Sequence, residues 1–277
     1  MNLIYKIDNL IEGQIINRPS KVIKTPFVAD IKIISNNKII LGHTASLGCC
    51  GLADIGAKIL MAPSKNKNNK CEYTVYLSIC TDKKKEIIIG IFPKLAEQLV
   101  ENALVNNLLT KLKNIKSYKR EITILNSRFD FSGIDQNNIE FIMEVKNVPL
   151  ADYEDITSKE KKKCCFNDRN YDSKVAYFPD GYRKKANDPI SPRALKHLND
   201  LIQLKKEKKN KIRCIMCYVI QRTDVNRFQP SILDPLYRET FIKAVKIGVE
   251  IITLVVKWTK TGKAYFIKDN LEISNLL

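Results

Sequence analysis

Three residues carry chemistry by type and spacing: Asp130 and, fourteen residues on, Glu144 and Lys146 in the triplet Glu144-Val145-Lys146. The segments Glu121 to Phe131 and Ile139 to Lys146 read as two β-strands joined by a polar turn around Asp135 to Asn138. A turn centred near Gln136 to Asn138 sets Asp130 almost opposite Glu144. Glu144 and Lys146, two apart on a strand, share a face. Phe129, Phe131, Met143 and Val145 are then expected to point the other way, into a core. Two carboxylates beside an ammonium suit a hard divalent cation, with Asp130 and Glu144 as oxygen ligands for Mg2+ and the Val145 carbonyl and waters completing the shell. Lys146 would orient and help deprotonate an attacking water, or stabilise charge on a pentavalent phosphate. The implied product is a cut phosphodiester. The same residues also suit an exposed cross-strand charge cluster without function, and spacing alone does not choose between the two.

Residues 14 to 80 hold short β-like runs separated by Gly, Asn and Lys: Phe27 to Ile34, Lys38 to Leu41, Ala57 to Met61 and Glu72 to Ile79. They suggest a small β-barrel. From Pro93 the period changes, and Leu95, Ala96, Leu99, Val100, Ala103, Leu104 and Leu108 make one apolar helical stripe. Ser191-Pro192 is expected to cap a second helix whose Ala194, Leu195, Leu198, Leu201 and Ile202 face inward, ahead of a strand from Ile212 to Ile220. Asp234-Pro235 starts a third helix that stops at Gly248, before the β-rich Val249 to Val256. Helices and strands alternate through the second half, which reads as α/β. The polar segments Asp152 to Lys174 and Arg183 to Pro189 read as surface insertions.

The chain has 277 residues, 44% of them hydrophobic, which excludes a disordered polymer and a disulfide-stapled miniprotein. Two units are expected, residues 1–82 as a barrel and 83–277 as the larger domain. No apolar run approaches the roughly 20 residues of a spanning helix, and Lys6, Asp8 and Glu12 interrupt any secretory signal, so an intracellular protein without a membrane partner is expected. Cys214 and Cys217 form a C-x-x-C on an expected strand, where positions three apart face opposite ways, which argues against chelation of zinc. The net charge of +17 attracts polyanions, nucleic acid foremost, although 37 of the 47 cationic residues are Lys and such usage also follows from an AT-rich genome.

The Asp130, Glu144 and Lys146 pattern resembles the PD-(D/E)XK nuclease core, and the wider sequence resembles the sugar fermentation stimulation protein A family. The likeness is carried by Phe27-Val28-Ala29-Asp30, Gly42-His43-Thr44-Ala45-Ser46-Leu47-Gly48, Ser127-Arg128-Phe129-Asp130-Phe131, Glu144-Val145-Lys146-Asn147-Val148, Ala176-Tyr177-Phe178-Pro179-Asp180 and Arg193-Ala194-Leu195-Lys196-His197-Leu198, in unbroken order. It implies an α/β (α+β) fold with a small amino-terminal OB-like β-barrel followed by a PD-(D/E)XK nuclease-like mixed-sheet domain, with DNA as ligand and Mg2+ or Mn2+ as cofactor. It implies Asp130 and Glu144 as metal ligands, Glu101 as a further acidic contributor and Lys146 as the catalytic lysine. Arg128, Arg193, Lys196 and His197 become candidate nucleic-acid contacts. So does Arg183, in the basic insertion Gly181 to Ile190 that separates blocks nearly contiguous in the family. The family's N-T-G in the early loop is Ser46-Leu47-Gly48 here. Two functions follow: a DNA-binding protein of the sugar fermentation stimulation type with a metal-dependent nuclease site, and a non-catalytic DNA-binding regulator of sugar metabolism genes.

Overall fold

The computed structural model describes residues 1–44, 51–65, 69–179 and 188–274. Arg183, Asp180 and the Ser46-Leu47-Gly48 turn lie outside the described residues. The first strand, β1 (Asn2–Lys6), is followed by β2 (Ile11–Asn17), β3 (Val28–Ile33), β4 (Ile39–Thr44), β5 (Lys58–Pro63) and β6 (Tyr73–Asp82). β2 pairs antiparallel with β3 and β5, β3 with β4 and β5 with β6; β4 then runs parallel to β6 and closes a five-stranded barrel. Closure leaves the barrel no open edge. Its interior is filled by Ile15, Ile31, Ile59, Met61 and Val75, all fully buried. β7 (Lys85–Gly90) pairs with β6 and leads the chain out.

The rest of the chain builds a mixed sheet from α1 (Lys94–Val105), β8 (Ser117–Ile124), β9 (Ser127–Ile134), β10 (Glu140–Val148), β11 (Ala151–Asp152), α2 (Ser158–Lys161), β12 (Lys174–Phe178), α3 (Pro192–Lys208), β13 (Ile212–Ile220), β14 (Val225–Pro230), α4 (Pro235–Ile247), β15 (Glu250–Trp258), β16 (Lys263–Lys268) and β17 (Glu272–Ile273). Seven strands lie in the order β1-β16-β15-β13-β10-β9-β8, with β10, β13 and β15 parallel at the centre. A smaller sheet runs β11-β12-β14-β17. The first strand of the chain thus pairs with β16 rather than with the barrel, while β7 stays with the barrel beyond residue 82.

One face of the large sheet is covered by α1, whose Leu95, Leu99, Val100 and Ala103 pack on Phe131, Met143, Val145 and Cys217. The other is covered by α3 and α4, whose Leu198, Leu201 and Phe241 pack on Ile142, Cys214 and Met216. Cys214 and Cys217 face opposite cores, as strand alternation requires. Strands buried on both faces read as continuous apolar runs, and β13 is buried at eight of its nine positions. β10 shares that burial yet carries Glu144 at its middle. α4 begins where Asp234 Oδ1 accepts from Tyr237 N at 3.1 Å and ends at Gly248, in the left-handed region at φ 96°. Among the described residues no helix is long and apolar enough to cross a membrane.

Several local expectations are corrected. Glu121 to Phe131 is a hairpin, β8 and β9 turning at Leu125-Asn126 with Leu125 at φ 54°, a turn that no glycine or proline announces. Ser191 precedes α3, but its side chain makes no capping bond. Asp152 to Lys174 is not wholly a surface excursion, because Tyr153, Asp155 and Lys174 are buried. Lys174 Nζ meets Asp82 at 2.6 Å and Asp224 at 2.8 Å, Arg222 clasps Asp224 with two 2.7 Å bonds, and Tyr153 donates to Asp82 at 2.7 Å. Full pairing is what makes such charges tolerable inside a protein, and this network ties the end of β6 to β12 and to the connection after β13.

Candidate active site

A cleft of about 460 Å3 opens between the first turn of α1, the parting ends of β9 and β10, and the start of α3. It lies toward the carboxyl end of β10, where parallel sheets commonly place ligands. The β9–β10 ladder runs from Glu140↔Ile134 to Met143↔Phe131 and stops there. On the other side of β9, the ladder to β8 passes from Arg120↔Phe131 to Ile122↔Phe129, skipping Asp130 opposite Glu121, which sits at φ 54°. Asp130 is therefore the residue at which both flanking ladders are interrupted. Its Oδ2 accepts from Val145 N at 2.7 Å, in place of the missing ladder bond. The strand also twists here: Phe131 packs beneath α1 while Phe129 packs beneath α3, so Phe129 does not share the core expected for it.

Glu144 is 2% exposed. Its Oε1 accepts from both Lys146 Nζ and His197 Nδ1, and these two nitrogens lie 3.5 Å apart. Its Oε2 is buried without a hydrogen-bond partner among the described residues. Burial by itself would raise the Glu144 carboxyl, but His197 and Lys146 outweigh it and hold the group below the usual carboxylate range. Asp130 goes the other way: burial first, then the negative charge of Glu144, push it up to about 7 against the lowering effect of the Val145 N–H. Two carboxylates in one cleft, one with an orphaned oxygen and one raised by burial and by its neighbour's charge, fit a hard divalent cation through oxygen ligands. Among the described residues no three His, Cys, Asp or Glu side chains form a ready-made cage, so any such ion also takes main-chain or water oxygens.

His197, 3% exposed, enters from α3 and packs against the Phe129 ring at 5.8 Å between centroids. Glu101 is placed elsewhere: Arg120 Nη1 donates to it at 2.6 Å and the Tyr118 hydroxyl at 3.3 Å. One turn earlier Glu97, bonded by Arg120 Nη2 at 2.8 Å, lines the cleft and adds to the rise of Asp130. Sequence reasoning missed Glu97, although it shares the helix face of Glu101. Arg193 lines the cleft with no carboxylate within ion-pair distance among the described residues, and Arg128 lines it while lying 3.5 Å from Glu121. Lys196 is spent within the fold, donating to Asn126 O at 2.6 Å, Ser127 Oγ at 2.7 Å and Asp200 Oδ2 at 2.8 Å.

Comparison with known proteins agrees with this architecture. The family model described as "Sugar fermentation stimulation protein RE domain" matches residues 94–262, from α1 through the turn before β16. A sugar fermentation stimulation protein homolog of Clostridium perfringens (strain SM101 / Type A) is 28% identical over 230 residues, covering 82% of this chain and 85% of its own length. A homolog of Clostridium novyi (strain NT) is 27% identical over 271 residues, covering 97% and 99%. The solved structure of Pyrococcus furiosus SfsA in complex with Ca2+ superposes with a TM-score of 0.75 at 20% identity, over 99% of this chain and 100% of that one, so the two share a fold from end to end. A barrel followed by a mixed sheet, with the family's own model spanning more than half the sequence, makes this chain a member of the sugar fermentation stimulation protein family.

Proposed function

We propose that the chain is a DNA-binding protein whose cleft cuts phosphodiester bonds with a divalent metal, Mg2+ or Mn2+. The observation that carries this reading is the buried Oε2 of Glu144, without a partner among the described residues, beside the raised carboxyl of Asp130. A buried acceptor without a donor is costly, and a cation on Asp130 and Glu144 removes that cost. Bound there, the metal would supply Lewis acidity and an activated water. The solved relative from Pyrococcus furiosus holds Ca2+, a cation of the same oxygen-seeking kind. Lys146 brings its side-chain nitrogen to the floor of the cleft beside Glu144, where it orients the attacking water and offsets charge on the phosphate. His197 braces Glu144. Glu97, rather than Glu101, is the further acidic contributor.

Arg193 and Arg128 meet the phosphate backbone at the rim, and the net charge of +17 supplies long-range attraction. In the division into residues 1–82 and 83–277, the barrel adds nucleic-acid affinity and the sheet domain performs the cleavage. The test is incubation of the purified protein with labelled single- and double-stranded DNA and RNA in Mg2+, Mn2+ or EDTA, alongside Asp130→Asn. Metal-dependent cleavage that the variant lacks supports the reading. Salt-sensitive DNA binding without cleavage under any metal turns it into the non-catalytic regulator, and turnover unchanged in Asp130→Asn removes Asp130 from the site.

A further inference from the structure

Beside Lys146, the cleft is lined by Asn147, whose side-chain amide is oriented by a chain of hydrogen bonds starting in the core. Trp258 Nε1 donates to Gln221 Oε1 at 2.8 Å. An indole N–H can only donate, so the Gln221 oxygen must face it. Gln221 Nε2 therefore turns to Asn147, donating to Oδ1 at 2.7 Å. Asn147 Oδ1 is thereby engaged on the buried side, and its Nδ2, with both protons, has no partner among the described residues. Trp258 and Gln221 are both buried, and the barrel clamps them: Gly90 N donates to Gln221 O at 3.1 Å, and a Cβ on Gly90 would stand 1.9 Å from Gln221 Oε1 and 2.6 Å from Trp258 Nε1. Such an arrangement fixes which end of an amide a cleft presents.

We infer that Asn147 is a substrate-binding residue whose Nδ2 donates to a non-bridging phosphate oxygen of the nucleic-acid strand in the cleft, and that Gln221 and Trp258 are its positioning residues. This rests on the phosphodiester reading above and assigns within it a contact distinct from metal binding and from the Lys146 ammonium. The other polar groups on the cleft floor do not fill this role. Asp130 and Glu144 present only acceptors when ionised, and Lys146 is held by Glu144. The contact is blind to base identity, because it addresses the backbone.

The test is the affinity of a short labelled DNA duplex in Ca2+, and KM and kcat in Mg2+, for wild type, Asn147→Asp, Asn147→Ala, Gln221→Met and the Asn147→Ala/Gln221→Met double variant. Asn147→Asp exchanges the donor for a carboxylate of the same shape and should weaken duplex binding about ten- to a hundredfold, with the loss appearing in KM. Gln221→Met touches nothing in the cleft; it should weaken binding by a smaller factor in the wild-type background and by none in the Asn147→Ala background, since coupled residues are non-additive. Mn2+ affinity measured by calorimetry should not change in Asn147→Ala. Thermal melting identifies any variant that fails to fold, in which case the remaining variants are read. Wild-type duplex affinity in both Asn147→Asp and Asn147→Ala overturns the inference while leaving the cleavage reading intact. An equal effect of Gln221→Met in both backgrounds overturns the positioning role. A wild-type protein that neither binds nor cuts nucleic acid overturns both readings.

Discussion

His197 Nδ1, from α3, donates to Oε1 of Glu144 at the middle of β10 and leaves Oε2 of that carboxylate without a partner among the described residues. Lys146 uses the same Oε1, so both positive or donating groups gather on one side of the carboxylate. The helix therefore decides which oxygen the strand offers.

Removing that brace should be felt by the metal first. His197→Ala is expected to lower Mn2+ affinity about ten- to a hundredfold, the usual consequence of losing a group that holds a ligand. His197→Gln, which keeps a donor, should recover part of it. Calorimetric titration of both variants checks this, and unchanged affinity in His197→Ala would detach the helix from the site.

Asp130→Asn separates chemistry from binding. Cleavage is expected to drop by about a thousandfold or more, while duplex affinity stays within about threefold of wild type, because affinity for the backbone comes mainly from Lys and Arg contacts to phosphate. Parallel gel cleavage and anisotropy assays measure the two quantities on one preparation.

Arg193 faces the cleft with no carboxylate partner among the described residues, as a phosphate contact should. Arg193→Ala is expected to weaken binding to all duplex sequences alike and to lower the slope of log affinity against log salt by about one. A loss confined to one sequence would instead mark a base contact.

Gly90 is required by close approach rather than by its backbone angles. Gly90→Ala puts a methyl group into Gln221 and Trp258, so a destabilisation of about 2 kcal/mol or more is expected in urea unfolding, where overpacking has few ways to relax. Weaker duplex binding should accompany it, since the same residues orient Asn147.

The buried charge network sets the acid limit of the fold. Burial pushes Asp82 and Asp224 up, but Lys174 and Tyr153 outweigh it at Asp82, and Arg222 and Lys174 at Asp224, so both carboxyls stay below their ordinary range. Groups depressed in the folded state contribute stability above their unfolded values, near 4, and that contribution is lost as the pH falls through the folded ones. Asp224→Asn should therefore cost about 3 to 5 kcal/mol at neutral pH, by stranding Arg222, and should flatten the decline in melting temperature below pH about 4. Melting curves across that range test both parts.

Much of the site was legible because its parts are local. Asp130 and Glu144-Val145-Lys146 lie on neighbouring strands whose register follows from a short turn, and the observed pairing Met143↔Phe131, continued by one step, sets Asp130 against Glu144. The stripes that predicted α1 and α3, and the Asp-Pro start and glycine stop of α4, act within one or two helical turns. The barrel and the alternating α/β order of the second half were expected from such runs, and the family resemblance implied a barrel followed by a mixed-sheet domain.

What the sequence determined by itself was thus the identity of the central carboxylates and lysine, the faces of the helices and the order of the elements, all of which depend on residues a few positions apart. The tertiary structure alone decided that Glu97 lines the cleft while Glu101 is held by Arg120 and Tyr118, because both occupy one face of α1 and only the docking of that helix against β8 and β9 separates them. It alone turned His197 onto Glu144, spent Lys196 on the β8–β9 turn, and paired β1 with a strand more than 250 residues away. Such contacts carry no local periodicity, since they arise when separate elements bury their apolar faces against a common core and bring whatever polar groups they bear into reach.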